Sequence, residues 1–232
     1  MILQDFTKDC CAMIGNDNQE LEIQLQDVRL KANLAVPENA NGMVVFAHGS
    51  GSSRLSPRNT MVARHLQQNH FGTLLFDLLT EEEDSVYENR FDIDLLVQRL
   101  IAVTYWLQQQ EITTGLPIGY FGASTGAAAA LGAAAIIKNI NAVVSRGGRP
   151  DLAMNALSKV EAATLLIIGG LDYEVIELNK KAFDQLSSVK EMQIVGGATH
   201  LFEEPGTMDE VIALATGWFE KYLQPIKQEG DV

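Results

Sequence analysis

Only two cysteines occur in the 232 residues, and they are adjacent, Cys10 and Cys11. Neighbouring cysteines close no useful loop and lack zinc-ligand spacing, so they read as reduced thiols near the N-terminus. Basic residues are scarce. Seventeen Lys and Arg stand against 30 Asp and Glu, a formal charge of −13, which excludes the Lys/Arg footprint of a nucleic-acid surface. No apolar run reaches the roughly 18 residues of a membrane span. The opening MILQDFTKDCCAM carries acids where a secretory signal needs an apolar core. G-x-G-x-x-G and G-x-x-x-x-G-K-S/T are both absent, so the glycine-rich loops are not the common phosphate cradles. These absences leave a cytoplasmic protein with a small-molecule substrate and neither nucleic acid nor membrane as partner.

What is present fits one α/β domain over residues 1–232. Hydrophobic residues make up 47% and charged ones 20%, ordinary for a globular chain that buries a single core without staples. Leu21 to Val36 alternates apolar and polar side chains, as half-exposed antiparallel strands do. Short apolar runs then recur at 43–49, 72–80, 116–124, 141–148, 163–170 and 191–197 and read as buried strands. Helical spacing marks Pro57 to His70, Phe91 to Gln110, the alanine-rich stretch after Ser124, Glu174 to Leu186 and Met208 to Leu223. The acid-rich stretch Glu81 to Asp94 has no histidine and reads as a solvated loop. Alternating strands and helices predict a mostly parallel sheet with an antiparallel N-terminal part, helices on both faces and functional loops at the carboxyl edge. The segment from Gly147 to Ser158 is too short for a large cap.

Gly122-Ala-Ser124-Thr-Gly126 is a G-x-S-x-G placed between a predicted strand and a predicted helix, the context of a nucleophile elbow. A serine nucleophile needs a base, and the base an orienting carboxylate, in the chain order Ser, acid, His. Of the four histidines only His200 follows Ser124, in a loop just past the strand 191–195. Asp172 follows the strand 164–168 and is the expected acid; it also suits the N-cap of the next helix. Glu174 is the nearby fallback and Asp151 a weaker one. The oxyanion donors expected are the backbone N–H of Thr125 and that of Ser50, with Gly51 close behind. His48, in the same loop, reads as a loop anchor rather than a base. Arg146 and Arg149 stand at the edge that carries the triad. A guanidinium there can grip a substrate carboxylate, or it can be scaffold tied to an acid such as Asp151.

HGSGSSRLSPRN, the DLLT at 77–80, GASTG, SRGGRPDLA, GGLD and GATHLFEEPG together resemble the dienelactone-hydrolase-like branch of α/β hydrolases, over residues 20 to 223. The resemblance implies the α/β-hydrolase fold, Ser124, Asp172 and His200 as triad, and no cofactor or metal. Dienelactone hydrolases carry a cysteine nucleophile where this chain has Ser124, so the resemblance implies a broader ester or thioester substrate. The expected function is hydrolysis of a small ester, lactone or thioester through an acyl-enzyme. Two rivals are transfer of the acyl group to an alcohol or to peroxide, and a non-catalytic binding module on the same fold.

Overall fold

The computed structural model describes residues 15–224. Cys10 and Cys11, and the reading of them as reduced thiols, lie outside the described residues. In chain order the elements are β1 (Gly15–Gln24), β2 (Arg29–Val36), β3 (Gly42–Ala47), α1 (Pro57–Gln68), β4 (Phe71–Phe76), α2 (Glu81–Asp84), α3 (Ile93–Gln108), β5 (Ile118–Ala123) and α4 (Thr125–Ile136). There follow β6 (Ile140–Arg146), α5 (Met154–Leu157), β7 (Ala163–Gly169), α6 (Tyr173–Gln185), β8 (Lys190–Val195) and α7 (Thr207–Tyr222).

All eight strands join one sheet in the order β1-β2-β4-β3-β5-β6-β7-β8. The hairpin β1–β2 is antiparallel and β2 joins β4 antiparallel; every other pairing is parallel. This is the expected α/β-hydrolase sheet with its antiparallel start. Strands β3, β4, β5 and β7 are buried at every residue, because helices cover both faces and no strand there has a wet side. Helices α1 and α7 supply one core, with Val62, Leu66, Val211 and Phe219. Helices α3, α4 and α6 supply the other, with Leu100, Leu131 and Ala182. Among the described residues no helix is long and apolar enough to cross a membrane.

Two local expectations change. The strand expected at 72–80 ends at Phe76, and Thr80 caps a helix instead: its hydroxyl accepts the Glu83 N–H while the Glu83 carboxylate accepts the Thr80 N–H. The supposed loop at 81–94 is therefore ordered. It holds α2, a tight 3-10 turn at Tyr87–Phe91, and Asp92, whose carboxylate caps α3 by accepting the Leu95 N–H at 3.0 Å. Its acids are also paired, Asp84 with Arg90 at 2.7 Å and Glu83 with Arg99.

Helix α4 has no wet face. Every residue from Thr125 to Ala135 is buried, between the sheet and α3, and its alanines and glycines keep it slim. At Gly132 an added Cβ would come to 2.5 Å from Val97 Cγ2 on α3. Alanine gains about 0.5–1 kcal/mol of helix propensity over glycine, whereas overpacking a tight core costs about 1–3 kcal/mol. Val97 is β-branched and holds one strongly preferred rotamer in a helix, so the clash wins. Gly132→Ala should lower stability in urea unfolding by about 1 kcal/mol, and adding Val97→Ala should recover most of it. Strict additivity in the double-mutant cycle would mean that the helices can part without cost.

Candidate active site

Ser124 sits between β5 and α4 with φ 51° and ψ −122°, a positive φ that a side chain rarely adopts. The turn is so sharp that its neighbours must lack side chains. A Cβ at Gly122 would meet Ala127 Cα at 2.5 Å, and one at Gly126 would meet the Ala47 carbonyl oxygen at 2.2 Å. Both obstacles are backbone and cannot swing aside. The end of β6 holds the turn from the other side. Ser124 N–H donates to the Arg146 carbonyl (3.3 Å), and the Ser124 carbonyl accepts from Arg149 N–H (3.0 Å) and Ala127 N–H (3.1 Å).

Asp172 and His200 meet at the same edge. Gly169 ends β7 and Gly170 begins the turn, in which Asp172 N–H donates back to the Gly169 carbonyl at 3.0 Å. The Asp172 carboxylate caps no helix N–H; its Oδ2 lies 2.6 Å from His200 Nδ1. Of the competing acids, Asp151 is committed to Arg149 by two bonds of 2.8 Å, and Glu174 is exposed. The His200 loop turns on Phe202, whose φ is 56°, and whose ring is buried. Thr199 N–H donates to Glu204 Oε2 at 3.1 Å, and Glu203 pairs with Arg58 of α1 at 3.0 Å. Among the described residues the Ser124 hydroxyl makes no hydrogen bond to His200. Such contacts commonly tighten only when substrate arrives.

Arg146 is 5% exposed. Its guanidinium stacks over Phe202 at 5.8 Å from the ring centroid and donates to Asn59 Oδ1 at 3.4 Å. Burial, helped by the nearby Arg58 charge, pulls it down to about 10, so it stays cationic at neutral pH. Its neighbour Gly147 packs against His200: a Cβ there would be 3.1 Å from the His200 carbonyl oxygen.

The loop after β3 closes the other flank. Gly49 presses on Ser124, since its Cβ would stand 3.0 Å from Ser124 Cβ. Ser50 N–H donates to Thr125 Oγ1 at 2.9 Å. Gly51 has φ 68°, and the nearest atom to a Cβ there is Arg90 Nη1 at 3.9 Å. Arg90 is itself clamped to Asp84, Nε to Oδ1 at 2.9 Å and Nη2 to Oδ2 at 2.7 Å. The sequence reading passed over Arg90 and the Thr125 side chain. A lone arginine in an acid-rich stretch gives no cue, and the hydroxyl next to the nucleophile was read only for its backbone. Two roomier hollows, of about 550 and 660 Å³, line the β1–β2 hairpin and α3, away from Ser124. Among the described residues no group of three His, Cys, Asp or Glu side chains could hold a metal ion.

His48 is the loop anchor the sequence suggested. Its Nε2 accepts the Leu78 N–H at 3.0 Å, which fixes the proton on Nδ1, and Nδ1 donates to the Gly49 carbonyl at 3.0 Å. Burial pushes this imidazole below its ordinary 6.5. As pH falls the unfolded chain therefore takes the proton first. The stability from neutral His48 is complete above 6.5 and drains away as pH drops below it. Unfolding midpoints in urea should fall between about pH 7 and pH 5 more steeply in the wild type than in His48→Gln. Parallel pH dependences would remove His48 from this role.

No family model matches the chain. Two proteins of Mycobacterium tuberculosis, each named "Putative phosphoribosyl transferase", are 55% identical to it over 207 residues, 89% of this chain and 47% of theirs. The chain thus spans about half the length of the curated relatives it matches. Among solved structures, a dienelactone hydrolase from Anabaena variabilis is 51% identical with a TM-score of 0.87, covering 90% of this chain and 99% of that one. An esterase of Pyrococcus furiosus shares the fold at 18% identity and a TM-score of 0.73, over 90% of this chain and 92% of its own. With half of its residues identical along nearly the whole of a dienelactone hydrolase, and the same sheet beneath them, the chain belongs to the dienelactone-hydrolase-like family of α/β hydrolases.

Proposed function

We propose that the chain is a serine hydrolase that cleaves uncharged esters or thioesters through an acyl-enzyme. The observation that carries this reading is the 2.6 Å contact between His200 Nδ1 and Asp172 Oδ2, made at the sheet edge where Ser124 stands on its strained turn. The carboxylate holds the Nδ1 proton and leaves Nε2 as the base. Ser124 Oγ attacks the acyl carbon while His200 takes its proton; His200 then returns that proton to the leaving alcohol or thiol. Water, activated in turn by His200, attacks the acyl-enzyme and frees the acid. The Thr125 backbone N–H, at the start of α4, stabilises the negative oxygen of each tetrahedral intermediate; Ser50 N–H, the other donor expected, is already committed to Thr125 Oγ1.

Two features support an uncharged, partly apolar substrate. The side chains next to Asp172 and His200 along the chain, Leu171, Tyr173 and Leu201, are exposed and largely hydrophobic. The formal charge of −13 repels anions. Arg146, buried over Phe202, is scaffold in this reading and makes no substrate contact. The transferase name borne by the Mycobacterium tuberculosis relatives describes proteins of about twice this length, and we leave that chemistry to the part this chain does not span. Acyl transfer to an alcohol or to peroxide would use the same acyl-enzyme, and only product analysis separates it from hydrolysis. A binding module without catalysis would leave Ser124 inert.

A fluorophosphonate probe should add one adduct to the intact mass, and Ser124→Ala should abolish it; labelling that survives in the alanine variant removes Ser124 from the nucleophile role. Asp172→Asn should reduce kcat on p-nitrophenyl acetate by orders of magnitude, at the limit about 10⁴-fold, whereas Glu174→Gln should be nearly silent. The reverse pattern would hand the acid's role to Glu174.

A further inference from the structure

The Thr125 hydroxyl is buried, 4% exposed, and accepts one hydrogen bond, from Ser50 N–H at 2.9 Å. It donates none among the described residues, so its proton is unspent. Thr125 lines a narrow cleft between the loop His48 to Gly51 and the side chains of Leu78, Asp84, Arg90 and Leu96, and Gly49 of that loop rests against the Ser124 Cβ. The hydroxyl therefore fills the position along the Ser50 N–H that a substrate oxygen would need. One N–H cannot serve two oxygens at full strength. Either the substrate evicts the hydroxyl, or the hydroxyl takes over the amide's task, or the N–H of Gly51, which has no acceptor among the described residues, replaces it.

We propose that Thr125 gives the oxyanion two donors, its backbone N–H and its Oγ1–H, and that Ser50 N–H works through this hydroxyl rather than on the substrate. The inference rests on the serine-hydrolase reading above. Eviction would leave a buried hydroxyl without the partner it now has, and an unsatisfied buried polar group is destabilising. Retention costs nothing, because the free proton already belongs to an oxygen polarised by an incoming N–H, and chained hydrogen bonds strengthen one another. No covalent bond is made or broken at Thr125. Its proton stays on Oγ1 and forms a hydrogen bond as charge builds on the substrate oxygen. Thr125 is also the first residue of α4, where the helix N-terminus favours negative charge.

The test compares Thr125→Val, which keeps the shape and loses the hydroxyl, with Thr125→Ser, which keeps the hydroxyl and loses a methyl. For p-nitrophenyl acetate, Thr125→Val should lose about 10²-fold in kcat with KM little changed, and Thr125→Ser should stay within several-fold of wild type. The inhibition constant of a trifluoromethyl ketone, a mimic of the tetrahedral intermediate, should rise in Thr125→Val by the factor that kcat/KM falls. A merely structural hydroxyl would instead lower the melting temperature and leave that proportion broken. Should Thr125→Val fail to fold, Thr125→Ala carries the same comparison. A valine variant as active as wild type, or faster because Ser50 N–H is released to the substrate, overturns the inference while the hydrolase reading stands. A wild type that neither hydrolyses the acetate nor takes the fluorophosphonate label overturns both.

Discussion

The left-handed turn at Ser124 is the constraint around which the centre of the molecule is arranged. A non-glycine residue at such φ and ψ costs about 1–3 kcal/mol and persists only where its surroundings leave no alternative. Here the surroundings are backbone. Gly122 lies against Ala127, and Gly126 against the carbonyls of Ala47 and His48, so β3, β5 and α4 meet without a side chain between them. That contact dictates the alanine-rich helix, since a bulkier one could not stay as close to the sheet. It also positions the loop after β3 beside Ser124, with Gly49 on its Cβ.

The end of β6 couples the two halves of the site. The Arg146 main chain accepts from Ser124 N–H, its side chain lies over Phe202, and Gly147 packs on His200. Ser124 and His200 are thereby gauged from one pair of residues. The arrangement is costly: a guanidinium is buried with no carboxylate against it, and Asn59 and the Phe202 ring offset only part of that. The next residue, Gly148, is tied in turn to α6 by Asn179, whose Nδ2 donates to its carbonyl at 2.9 Å. The strain of the elbow and the buried cation thus sit on neighbouring strands of the same rigid region.

Much of this was legible from residue order alone. Strand and helix alternation gave the sheet, and a single histidine downstream of Ser124 left His200 as the only base in the expected order. Asp172 was harder, because an aspartate just before a helix suits an N-cap as well as a triad, and only the 2.6 Å contact with His200 separates the two. The acid-rich stretch misled because its order comes from partners that charge density does not display. Thr80 and Glu83 cap each other in a spacing that could have been noticed, but the pairs with Arg90 and Arg99 depend on how two turns stack. Arg146 was ambiguous for a related reason. A charged residue at the end of a strand reads the same whether it opens to solvent or turns beneath the next loop. The acceptor for Ser50 N–H lies 75 positions away, and no local pattern encodes it.

The sheet also separates chemistry from attachment. Gly15 pairs with Val36 at the end of β2, and Leu223 packs on Gly42 and Gly119, near the starts of β3 and β5. Both ends of the described fold therefore leave from the amino edge, while Ser124, Asp172 and His200 occupy the carboxyl edge. Attachment at either end of the described fold would therefore leave the edge that carries Ser124 facing away.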